Sequence, residues 1–142
     1  MIILPSSLVE ELAIYLDSLG LGKYDKDGIS GNIFINFLPS NPEDCIALYV
    51  RDSLPGSFKL GYDSPQIQII TRGVQDPPTE AKAQEIYDKL QGLNHLLLGQ
   101  IWVVSVGSNG SGPSFIGRNE NNLVEFSLNF VFEIRNKNIH RE

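Results

Sequence analysis

Val124-Glu125-Phe126-Ser127-Leu128-Asn129-Phe130-Val131-Phe132-Glu133-Ile134 carries an apolar residue at every second position, and the residues between are polar except Val131. That period belongs to a strand with one buried face. A long amphipathic strand is therefore expected near the end of the chain, with Val124, Phe126, Leu128, Phe130, Phe132 and Ile134 on its core side. The polar stretch ahead of it, Ile116-Gly117-Arg118-Asn119-Glu120-Asn121-Asn122, reads as a turn. Gly61-Tyr62-Asp63-Ser64-Pro65-Gln66 in mid-chain reads as a second one. These two segments point to a role in assembly rather than chemistry.

Working outward, Ser7 to Leu19 has the pattern of an amphipathic helix. Ser7 and Glu10 form a capping box, Leu8, Leu12, Ala13, Leu16 and Leu19 share a face, and Gly20 supplies the left-handed stop. Asn32 to Leu38, Asp44 to Arg51 and Gln66 to Arg72 read as three strands, with Pro39 and Pro42, then Ser53 to Ser57 and Tyr62 to Pro65, as breaks. A second helix is expected from Glu80 to Gln91, capped by Thr79, with Ala83, Ile86, Tyr87 and Leu90 inward and Gly92 ending it. Leu93 to Leu98 fits no class. Gln100 to Val106 is a further strand, and Ser108 to Pro113 a loop. The order of helix, three strands, helix and two strands predicts an α+β fold, two helices packed on one face of a mixed, mainly antiparallel β-sheet.

A chain of 142 residues that is 42% hydrophobic can bury one ordinary core, so one domain is expected over residues 1–142, with a flexible tail from about residue 136. The net charge of −6 argues against a phosphate-binding surface, because affinity for nucleic acid depends on Lys and Arg that neutralise phosphates. No sequence-specific nucleic-acid partner is expected. The amino terminus lacks the basic region of a secretory signal, and no apolar run approaches membrane-spanning length, so no membrane partner is expected either. Use in a reducing cytosol follows. The one cysteine, Cys45, lies in an apolar run where a small buried side chain belongs.

Residues able to carry chemistry are few. His95 and His140 have no cysteine or histidine at metal-ligand spacing, so no metal or cofactor is expected. Gly107 to Gly112 is not followed by the Lys-Ser or Lys-Thr pair of a phosphate loop. Glu43 and Asp44 adjoin, but neighbours on a strand point to opposite faces, and a turn and strand-start role suits them better than acid-base work. No nucleophile comes with a motif that would bring it a base, so no catalytic residue is assigned.

Taken together, the amino-terminal helix, Leu38-Pro39-Ser40-Asn41-Pro42-Glu43-Asp44 leading into an apolar strand, and Gly61 to Gln68 ending in Thr71-Arg72-Gly73 resemble the minor capsid or tail terminator proteins of long-tailed, lambda-like bacteriophages. The helix bearing Ala81, Ala83, Ile86, Tyr87 and Leu90 before Gly92, and the turn Ile116 to Asn121 before Glu125 to Phe130, extend that resemblance over about Leu8 to Arg135. The usual turn in such sequences carries Gly-Arg-Asp-Glu, and here Asn119 stands in place of the aspartate. The resemblance implies a structural, non-enzymatic protein that forms a homo-hexameric ring on the last ring of the tail tube. It implies that the ring stops tube growth and offers a surface to head-completion or connector proteins. Its place would be the head–tail junction of the virion, and the host cytoplasm during assembly.

A ring built from repeated contacts needs two different patches per subunit. The candidates are Tyr62, Asp63 and Ser64 on one side and Arg118, Asn119, Glu120 and Asn121 on the other, each also readable as a solvated hairpin turn. Two other readings stand beside this one: a different head–tail connector or minor capsid component on a related scaffold, and a small cytosolic enzyme or ligand-binding domain.

Overall fold

The computed structural model describes residues 7–54 and 61–135. The expected tail from about residue 136, His140, the Met1 to Pro5 segment and most of the Ser53 to Ser57 break lie outside the described residues. Helix α1 spans Leu8–Ser18, β1 Ile33–Ile35, β2 Cys45–Leu54, β3 Tyr62–Gly73, α2 Asp76–Leu90, β4 Asn94–Leu98, β5 Ile101–Ser108, β6 Ser114–Arg118 and β7 Val124–Arg135. The seven strands form one mixed sheet in the order β1-β2-β3-β7-β5-β4, and β6 pairs with β7. Only β1 and β2 are parallel; every other named pair is antiparallel. The α+β architecture expected from the sequence is present.

Strand β7 organises the sheet because it pairs along both borders. One border is taken by β3 over its whole length. The other is shared: β5 lies against Phe130 to Arg135, and β6 against Val124 to Ser127. The glycine-serine loop after β5 separates the two, and the Asn109 N–H donates to the Asn129 carbonyl at 2.9 Å where the chain leaves β7. All six alternating residues of β7 assigned to the core are buried, and Phe130 and Phe132 are fully so. Each such side chain stabilises the fold by roughly 1.5–3 kcal/mol through burial.

Both helices contribute to one core. Leu12, Ala13 and Leu16 of α1 and Ala83, Ile86 and Leu90 of α2 cluster with Ile46, Leu48, Ile67, Ile69, Leu128 and Phe130 of the sheet. Ser7 caps α1, its hydroxyl accepting the Glu10 N–H at 3.3 Å. The Glu10 carboxylate accepts instead from the Tyr24 hydroxyl at 2.7 Å, so it pins the following loop to the helix. Burial, reinforced by Glu10, pushes the Tyr24 phenol up to about 12. Val9 is buried where the sequence pattern put Leu8 and Leu19, which are only half-buried.

Several boundaries differ from expectation for identifiable reasons. β1 ends at Ile35 because Asn36 adopts φ 61° and its carboxamide oxygen takes the Val50 N–H at 3.0 Å. Helix α2 begins at Asp76, with Gln75 as its cap, because prolines are tolerated in a first turn, where no intrahelical donor is needed. Thr79 is therefore not a cap: it is buried inside the helix and donates its hydroxyl to the Gln75 carbonyl at 2.7 Å. Asn94–Leu98, unclassified by pattern, is a border strand held by β5 despite the positive φ of His95. The segment Ser114–Arg118 is a strand and not part of the turn, so four strands follow α2 instead of two.

Candidate functional surfaces

The turn before β7 contracts to the residues from Asn119 to Leu123, and Asn119 builds it. Its side-chain oxygen accepts the Asn121 and Leu123 N–H groups at 2.9 and 3.0 Å, while its carbonyl takes the Asn122 N–H at 2.9 Å. Asn122 completes the reversal at φ 62°. The Asn119 amide also donates to the Glu125 carboxylate at 3.4 Å, a contact an aspartate could not make. An aspartate at this position would keep the acceptor role and add a repulsion with Glu125. Glu120 and Asn121 are exposed at the tip.

Arg118 faces inward along the turn. One guanidinium nitrogen donates to the Asn122 carbonyl at 2.8 Å, and another pairs with Asp76 at 2.8 Å, tying β6 to the first turn of α2. Both partners remain partly exposed, at 39% and 51%, so the pair is worth only about 0–1 kcal/mol.

The other predicted patch is not a turn. Tyr62, Asp63 and Ser64 are the first residues of β3, pairing with Arg135, Ile134 and Leu54, because β7 is long enough to extend the ladder past Pro65. Arg135 donates to the Tyr62 hydroxyl at 3.0 Å and stacks its guanidinium 4.7 Å from the ring centroid. The cross-strand row continues from Arg135 to Trp102 and from Trp102 to Leu97, on the sheet face away from the helices. Trp102 and Leu97 are 40% and 58% exposed. His95 lies beside the Trp102 ring, centroids 6.1 Å apart. Sequence reasoning missed this row because it depends on register across four strands; the only local signal was the single tryptophan.

The two patches sit at opposite ends of β7. Arg118 is paired with Val124 at its start, and Tyr62 with Arg135 at its end. A strand of that length spans roughly 36 Å at about 3.3 Å per residue. The fold thus separates them and does not join them into one site.

A cavity of about 350 Å³ lies elsewhere, between the start of α2 and the adjoining ends of β2 and β3. Its polar walls are largely satisfied internally. Arg72 donates to the Ser40, Pro42 and Glu43 carbonyls, Lys82 to the Leu21 carbonyl, and Asp44 accepts the Val74 N–H. Thr71 Oγ1 is buried without a hydrogen-bond partner among the described residues. Cys45 is buried, and that burial pushes its thiol up to about 11, the opposite of what activates a nucleophile. Glu43 and Asp44 are exposed residues ahead of β2. No group of three or more His, Cys, Asp or Glu side chains suited to a metal occurs among the described residues.

Residues 15–136 match the family described as bacteriophage tail terminator protein. The chain belongs to that family. Its fold is also similar to a chain in the virion of a native gene transfer agent particle, with a TM-score of 0.64 and 17% identity over 92% of this chain and 99% of that one. At that identity the likeness concerns the fold. No curated protein sequence matches the chain.

Proposed function

We propose that this protein caps the phage tail tube as an oligomeric ring, most simply a homo-hexamer, ending tube polymerisation and presenting the surface on which the head is joined. Membership of the tail terminator family supports the tail-end role. The observation that carries the ring is the separation of the two patches to opposite ends of β7, since a head-to-tail contact requires different surfaces on one subunit. On this reading Glu120 and Asn121, held out by Arg118 and Asn119, form one contact. Tyr62, Asp63 and Ser64, stiffened by Arg135, form the other.

The partners are further copies of the chain, the tail tube protein and a head-completion or connector protein, and the protein resides at the head–tail junction after assembly in the host cytoplasm. The likeness to a virion chain of a gene transfer agent fits that place. The reading is non-enzymatic: the tail-terminator role needs no catalysis, and the groups lining the cavity are spent on internal hydrogen bonds.

Removal of the protein from its phage tests this. Tails should then grow to irregular, often excessive length and fail to join heads, and the intact protein should restore both properties. A folded Glu120→Lys, Tyr62→Ala variant should restore neither. Normal-length, head-competent tails in the absence of the protein would refute the capping role.

A further inference from the structure

Folded proteins ordinarily blunt the free edges of their sheets with charge, proline, bulges or cover. Strand β6 carries a bulge and one arginine but no covering strand among the described residues. It pairs with β7 on one side, and among the described residues no strand lies along the other. Phe115 and Ile116 are 60% and 50% exposed. A register shift between Phe115 and Gly117 twists the strand, and its one charge, Arg118, is engaged by Asp76. The opposite border of the sheet has a matching gap. β1 covers β2 only from Ile46 to Leu48, and Asn36 takes the Val50 N–H; on that side, opposite β3, no strand among the described residues lies along β2 from residue 51 to 54. Val50 and Phe37 are both 51% exposed.

We infer that the outer edge of β6 pairs with the uncovered half of β2 in a second copy of this chain. The inference rests on the ring reading above. Only an extended segment can satisfy a row of unpaired backbone donors and acceptors, and the uncovered stretches of β2 and β6, as far as the described residues go, lie on opposite borders of one sheet. Strand direction agrees. β2 and β7 run one way and β3 and β6 the other, so a second copy placed beyond β6 with its helices on the same face brings its β2 antiparallel to β6. The alternation then continues from subunit to subunit.

The two edges are also offset along the strands. Arg51 is level, through Gln66, with Val131, whereas β6 spans Val124 to Ser127. The offset is about six residues, or roughly 20 Å. Closing a sheet on itself requires a stagger of this kind, with the strands inclined to the ring axis. The contact is heterologous and consumes both edges in every subunit.

A cysteine pair tests the pairing. The variant Asp52→Cys, Ile116→Cys, assembled on tail tubes made without a terminator and then oxidised, should give a ladder of covalent oligomers, and each single variant should give none. Cys45, only 4% exposed, stays out of the reaction. Ile116→Lys should keep the melting temperature of the unaltered protein and lose the ring mass. Rings of full mass without cross-links, or dimers from Ile116→Cys alone, would overturn the pairing and leave the ring standing. Failure of the unaltered protein to form a ring on the tubes would overturn both.

Discussion

Asn119 shows how much of the proposed contact depends on one side chain. It accepts two backbone N–H groups, one of them from part-buried Leu123, and Asn119→Ala leaves both unpaired. The loss should lower stability by about 1–2 kcal/mol, read as a drop in melting temperature, whereas Asn119→Asp, which keeps the acceptor, should cost less. An alanine variant as stable as the parent would show that the turn does not need its central acceptor. Cys45 gives a second measurement at this scale. Burial raises its thiol, Arg72 opposes that, and Asp44 and Glu125 add to it. A group whose folded pKa is raised stabilises the fold below its unfolded value, near 9, and that stabilisation is lost as pH rises through about 11. Cys45 should therefore resist a thiol reagent at pH 8 until the protein unfolds, and should begin to react as the pH approaches 11. Rapid stoichiometric labelling of the native protein at pH 8 would contradict its burial.

At the scale of elements, the junction of β3 and α2 is held by close approach. A β-carbon at Gly73 would collide with the Thr79 hydroxyl and lie 2.7 Å from Asp44 Oδ1. Gly73→Ala should destabilise by about 1–3 kcal/mol, and adding Thr79→Ala should recover part of that loss. Additive effects in the double variant would mean that the two residues do not meet. Thr79 also marks the limit of what the sequence discloses. Its type suits a helix cap, yet Pro77 and Pro78 already satisfy the first turn and move the cap back to Gln75. The register of β7 was legible because a single period runs through six buried residues, and α1 was legible from its cap and stripe. Two short strands were not. β4 and β6, of five residues each, exist because longer neighbours offer them hydrogen bonds, and no local pattern reports that. Of the candidate contact residues, Asn119 to Asn121 lie in the turn their composition indicates, whereas Arg118 is the last residue of β6. Pro65 makes Tyr62 to Ser64 look like a turn, and the length of β7 decides otherwise.

On the scale of the whole molecule, the sheet has a helix-covered face and an open face, stretches of β2 and β6 along which no further strand lies among the described residues, and polar patches at the two ends of β7. Such a subunit is suited to joining copies of itself side by side in a staggered ring, where the start of β7 in one copy approaches the end of β7 in the next. The most direct test is the native mass of the protein alone and on tail tubes assembled without a terminator, with tube length followed in the same samples. The account predicts that the protein on tubes is recovered as a closed ring, most simply of six copies, at one tube end, and that capped tubes stop lengthening. A protein that remains monomeric in the presence of tubes, or tubes that go on lengthening at the same rate when it is added, would contradict it.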